Sequence, residues 1–187
     1  MGMRIAVLAW GSLVWDSGEL KVARLKDGQI DWHFDGPALP LEFSRISEDS
    51  RLTLVVDQSQ GTDCITLWAL TTEPTIDAAA EDLRARERTS TRRIGRAHRD
   101  GASADGSTEA VIEKWLRVHG LDAAIWTALP PNFQEQKGEK FSFEAALEHL
   151  TGLSGAAAEA AREYIVRAPA QTRTAFRVWL QETHGLP

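Results

Sequence analysis

Apolar positions run together or alternate in short stretches through the first seventy residues, and then recur at helical spacing through most of the remainder. Residues 4–9 (RIAVLA) form a continuous apolar, partly β-branched run that stops at Gly11 and Ser12, the pattern of a buried strand followed by a turn. Residues 21–25 (KVARL) and 29–34 (QIDWHF) alternate on either side of Asp27-Gly28, which predicts an antiparallel hairpin. Asp35-Gly36-Pro37 and Pro40 then break the regular pattern, so residues 41–45 read as a strand at a sheet edge. Residues 51–57 (RLTLVVD) and 63–71 (DCITLWALT), joined across 59–62, predict a second hairpin. About five short strands before residue 72 are more than a βαβ unit needs.

The period changes at Glu73-Pro74. Thr75 is placed to cap a helix over about residues 75–88, with Asp77, Glu81 and Asp82 near its positive end. At about 100° per residue, Ile76, Ala80, Leu83 and Glu87 fall in one narrow sector, so a carboxylate shares the apolar stripe. Residues 89–107 are polar, basic at first and then rich in Gly, Ser and Asp, and read as a long loop. A capped helix from Ser107 to Gly120 and a strand over 123–129 follow. Helices over 143–150, 156–168 and 173–184 close the chain, opened by Ser142, Ser154 and Thr172. Their stripes, Phe143/Leu147/Leu150 and Phe176/Trp179/Leu180, either pack internally or form a dimer surface. The expectation is an α+β protein forming a single domain over residues 1–187, a β-rich core over 1–130 with a helical extension over 131–187, as monomer or homodimer.

Composition narrows the partners. A formal net charge of −6 argues against a surface built for phosphate backbones, although residues 84–99 are locally basic, and no nucleic-acid partner is expected. No apolar run reaches the ~18 residues of a membrane span, and the N-terminus enters a strand without a signal-peptide pattern, so no membrane partner and a cytoplasmic location are expected. The single cysteine, Cys64, has no internal disulfide partner and lies in an apolar run, which makes it a buried structural thiol. The five histidines are scattered without ligand spacing, so neither a metal nor another cofactor is expected.

Candidate chemistry gathers at two places. In residues 8–16 (LAWGSLVWD), Gly11 lets a ligand approach the backbone amides, Ser12 adds a hydroxyl, and successive N–H groups in a tight turn suit an anion. Trp10, Leu13 and Trp15 would wall such a pocket; the plain alternative is a turn between two strands. Glu87 is the second. On the inner face of its helix it would be desolvated and suited to general acid/base work; alternatively the helix ends at Ala85 and Glu87 pairs with Arg86 or Arg88 in solvent. Arg45 or Arg51 would either bind a further carboxylate or serve as a solvated strand end. Nucleotide binding is disfavoured, since neither GxGxxG nor a P-loop pattern is present.

With these residues in place, the chain resembles the gamma-glutamylcyclotransferase-like superfamily over roughly residues 4 to 95. Members carry Tyr-Gly-Ser-Leu or Tyr-Gly-Ser-Asn after the first strand, and here the stretch is Trp10-Gly11-Ser12-Leu13, with Trp15 just beyond. Branches that degrade glutathione hold the catalytic glutamate in Leu-x-x-Arg-Glu, which looks like Leu83-Arg84-Ala85-Arg86-Glu87. The chain departs from the pattern at Trp10, where a tyrosine is usual, and after Glu87, where a further tyrosine is common; its only tyrosine is Tyr164. The helices after about residue 123 have no match in that pattern. The resemblance implies a mixed β-barrel or sheet with flanking helices. It also implies a cofactor-free enzyme that converts a gamma-glutamyl amide to 5-oxoproline and an amine, with Glu87 as acid and base. The turn would hold the substrate's carboxylate or its oxyanion. The competing reading is a non-catalytic module on the same fold that binds a small anion or a protein partner.

Overall fold

The computed structural model describes residues 2–185 and is an α+β structure with two small open sheets. Among the described residues neither sheet closes into a barrel, and no helix is long and apolar enough to cross a membrane. Contacts divide the chain into two interleaved units.

The first unit comprises the segments up to Ala9, Asp16–Leu39 and Ile65–Ala128. Its sheet contains β1 (Ile5–Ala9), β5 (Leu67–Leu70), β6 (Ile94–His98) and β7 (Ala123–Thr127) in the order β5-β1-β7-β6. β1 is antiparallel to β5, parallel to β7 and entirely buried, as its unbroken apolar run requires. Two helices, α1 (Ile76–Glu87) and α2 (Thr108–His119), pack against β6 and β7. Their N-caps follow the sequence: Thr75 and Ser107 accept from the amides of Ala78 and Ala110.

Two expectations change here. Residues 21–34 do turn back at Gly28, but only isolated bridges form, Arg24 with Ile30, Val22 with Thr71 and His33 with Trp68, so the segment borders β5 instead of making a regular hairpin. Within the loop expected over 89–107, residues 94–98 form β6, antiparallel to β7. Ile94 and Ala97 are buried and Arg96 and His98 exposed, so the strand lies at the sheet edge, where polar residues conceal the pattern.

The second unit comprises Trp10–Trp15, Pro40–Cys64 and the segment from Leu129 onward. β2 (Ala38–Ile46) is the middle strand of its sheet, flanked by β3 (Leu52–Val56) and β4 (Thr62–Ile65). This corrects two readings. Residues 41–45 are central rather than at an edge, and the stretches 51–57 and 63–71 do not pair with each other. Both β3 and β4 pair with β2, and the latter stretch breaks at Thr66 before entering β5. Gly61 permits this return: a Cβ there would run into the Pro40 backbone. β2 carries a bulge between Glu42 and Arg45.

Helices α3 (Phe133–Lys137), α4 (Phe143–Thr151), α5 (Gly155–Arg167) and α6 (Ala175–His184) complete the unit. Ser142 caps α4 as expected, but α6 is capped by Thr174, while Thr172 is buried ahead of it. Phe43, Phe133, Phe141, Phe143, Phe176 and Trp179 form a run of edge and tilted ring contacts, so the aromatic stripes of α4 and α6 pack internally.

Candidate functional site

Trp10–Trp15 belongs to the second unit and Glu87 to the first, and each is built from its own neighbours. After Gly11 the chain makes one short 3-10 turn, Ser12–Val14, closed by the amides of Val14 and Trp15 on the carbonyls of Gly11 and Ser12. The earlier amides therefore stand outside the turn's own bonding. Trp10 and Leu13 are buried, and the Trp10 indole donates to the Leu54 carbonyl of β3 at 3.3 Å. Ser12 and Trp15 are half-buried.

The side of Gly11 is taken by Tyr164 of α5. A Cβ at Gly11 would overlap the tyrosine hydroxyl, which also accepts from the Leu54 amide at 3.4 Å. Tyr164 meets Trp15 edge to face at 5.3 Å between ring centres. Two guanidinium groups cover these rings, Arg167 over Trp15 at 5.5 Å and Arg51 over Tyr164 at 5.6 Å. Both cations are also paired with carboxylates, Arg167 with Glu163 and Arg51 with Asp49, each at 2.8 Å. Arg45 is half-buried on β2 and donates to the Pro130 carbonyl at 2.9 Å, a tie within the protein.

Glu87 is the last residue of α1, and its side chain is only 15% exposed. Ile76, Ala80 and Leu83 precede it on the same stripe, the latter two fully buried. Arg86 Nη1 donates to its carboxylate at 2.5 Å, and the other guanidinium nitrogen, Nη2, donates to the Asp16 carbonyl. Arg86 is itself 12% exposed at the side chain, so this ion pair is shielded, and the glutamate meets a cation as well as apolar neighbours. The helix continues past Ala85 and ends at Arg88, whose left-handed φ of 50° turns the chain away.

Two contributors were not recognised in the sequence as parts of a site. Arg86 enters the sequence reading only as a partner for Glu87 in solvent; the pairing forms, but shielded from solvent. Tyr164 carried a legible signal: Ala161, Tyr164, Ile165 and Ala168 are buried at i, i+3, i+4 and i+7, so the phenol had to face inward. Its meeting with Gly11 had no such signal, because the two lie far apart in the chain. No family model, curated protein or solved structure matches this chain.

Proposed function

We propose that the protein is a cofactor-free cyclotransferase acting on a small gamma-glutamyl amide. In such a substrate the free α-amine attacks its own γ-carbonyl, a C–N bond closes a five-membered lactam, and the original amide C–N bond breaks to release an amine. Attack within one molecule removes the entropy cost of bringing two reactants together. Glu87 would take a proton from the α-ammonium and deliver it to the departing nitrogen, so protons balance over the cycle. The supporting observation is the shielded position of Glu87 at the end of a buried stripe, where a solvated surface glutamate has no reason to lie.

One observation favours a second reading, a binding module without catalysis. The Tyr164 hydroxyl fills the space beside Gly11, so the absence of a Cβ there serves internal packing. Release of 5-oxoproline from a panel of gamma-glutamyl compounds, glutathione included, separates the two. The enzyme reading expects turnover by the wild type and a fall of about 10²- to 10⁴-fold in Glu87→Gln, which keeps the shape and removes the acid/base group. Equal turnover in both proteins removes Glu87 from the chemistry. No turnover by folded wild type across the panel favours the binding module.

A further inference from the structure

Within the second unit, α4, α5 and α6 border a half-open cavity of about 200 Å³ that none of the cyclisation chemistry above uses. Leu147, Leu150 and Thr151 line it from α4, Ala158, Ala161, Arg162 and Ile165 from α5, and Leu180 from α6. The α5 residues fall at i, i+3, i+4 and i+7, one face of that helix. Ala161, Ile165 and Leu180 form its buried floor, whereas Thr151 and Arg162 are exposed and mark its mouth.

The two polar residues at the mouth are not equivalent. The Thr151 hydroxyl donates back to the carbonyls of Leu147 and Glu148 within its own helix. Arg162, among the described residues, makes neither a hydrogen bond nor an ion pair with the protein, in contrast to Arg167 on the same helix, which holds Glu163. An apolar cleft with a guanidinium outside any ion pair at its opening is complementary to a molecule with an apolar body and a single anionic end. A cavity of about 150 Å³ lined by similar side chains accommodates benzene, so this one admits an apolar body of about six or seven carbons.

We propose that this cavity binds a small apolar carboxylate, its hydrocarbon part among Leu147, Leu150, Ile165 and Leu180 and its carboxylate on Arg162. The carboxylate is the preferred anion because the guanidinium fork matches its two oxygens. The site is independent of the cyclotransferase reading and stands or falls without it.

The test is calorimetric titration of the full chain with sodium hexanoate at low salt, with 1-hexanol as the uncharged analogue. Saturable 1:1 binding of hexanoate is expected, weakened about fivefold in Arg162→Gln, the size of a partly exposed ion pair, with hexanol affinity unchanged. Arg162 is exposed, so this variant keeps the fold. Ala158→Leu, which fills the cleft, removes binding of both compounds. If that variant does not fold, hexanoate-induced methyl shifts at Leu147, Ile165 and Leu180 in the wild type locate the site instead. Absence of saturable hexanoate binding overturns the proposal, as does binding indifferent to Arg162→Gln.

Discussion

At Gly11 the requirement for glycine comes from a neighbour. The Tyr164 hydroxyl occupies the position that a Cβ would take. Gly11→Ala is therefore expected to cost about 1–3 kcal/mol of stability through overpacking. In a Tyr164→Phe background the added methyl group meets no oxygen, and the cost of Gly11→Ala falls. Urea unfolding of the two single variants and the double variant measures this coupling; additive effects would show that the glycine answers to something else. Cys64 supplies a second prediction at this scale. Burial pushes its thiol up to about 11, so labelling by a disulfide reagent at pH 8 should run at least about 10²-fold slower than for an unfolded-chain thiol. The sequence identified the turn, the buried cysteine and the stripe that ends in Glu87, because each is a local pattern. It left Arg45 open between a substrate ligand and a solvated strand end, and the structure instead ties it to the Pro130 carbonyl.

Among the elements, β2 and α6 share a buried carboxylate. Glu42 is fully buried on β2 and accepts from the amides of Phe43, at 2.8 Å, and Phe176, at 3.2 Å, the latter in the first turn of α6. Burial raises its carboxyl above the ordinary value of 4.5, against the opposing pull of those hydrogen bonds. Because the folded value is raised, the stability Glu42 contributes is complete below about pH 4.5 and declines as pH rises through the folded value. Unfolding midpoints measured between pH 4 and 8 should show that decline in the wild type and a flatter profile in Glu42→Gln. At the end of α1, Arg88 adopts the left-handed conformation that glycine takes without strain. Arg88→Gly is expected to stabilise by about 0.5–1 kcal/mol, readable as a higher urea midpoint. Helices with capping residues and long apolar stripes were legible in advance; strand partners were not. Pro40 lacks an N–H and points to a sheet edge by local logic, yet it stands in the central strand and offers its carbonyl to Asp57 at 2.8 Å. β6 escaped notice because an edge strand needs only two inward residues, and Arg96 and His98 supply the polarity of a loop.

For the molecule as a whole, the α+β class was legible because hairpin-like alternation gives way to helical period at residue 74. The two interleaved units were not, since the allocation of strands between two sheets depends on contacts that no local pattern encodes. Residues 63–71 illustrate this: one apolar run supplies both β4 and β5, which belong to different sheets. The second unit draws Trp10–Trp15 and Pro40–Cys64 together with the segment from Leu129 onward, and β3 packs against α5. This ordering has a consequence for biosynthesis. When β2 and β3 leave the ribosome, the helices that cover them have not been made, and at ordinary elongation rates the wait is roughly 5–20 s. During that interval Leu41, Phe43, Leu52 and Leu54, all buried in the finished protein, stay open to water and to one another. A nascent chain stalled before α5 should therefore recruit holding chaperones, and release into its native form should follow only once Tyr164 has been added.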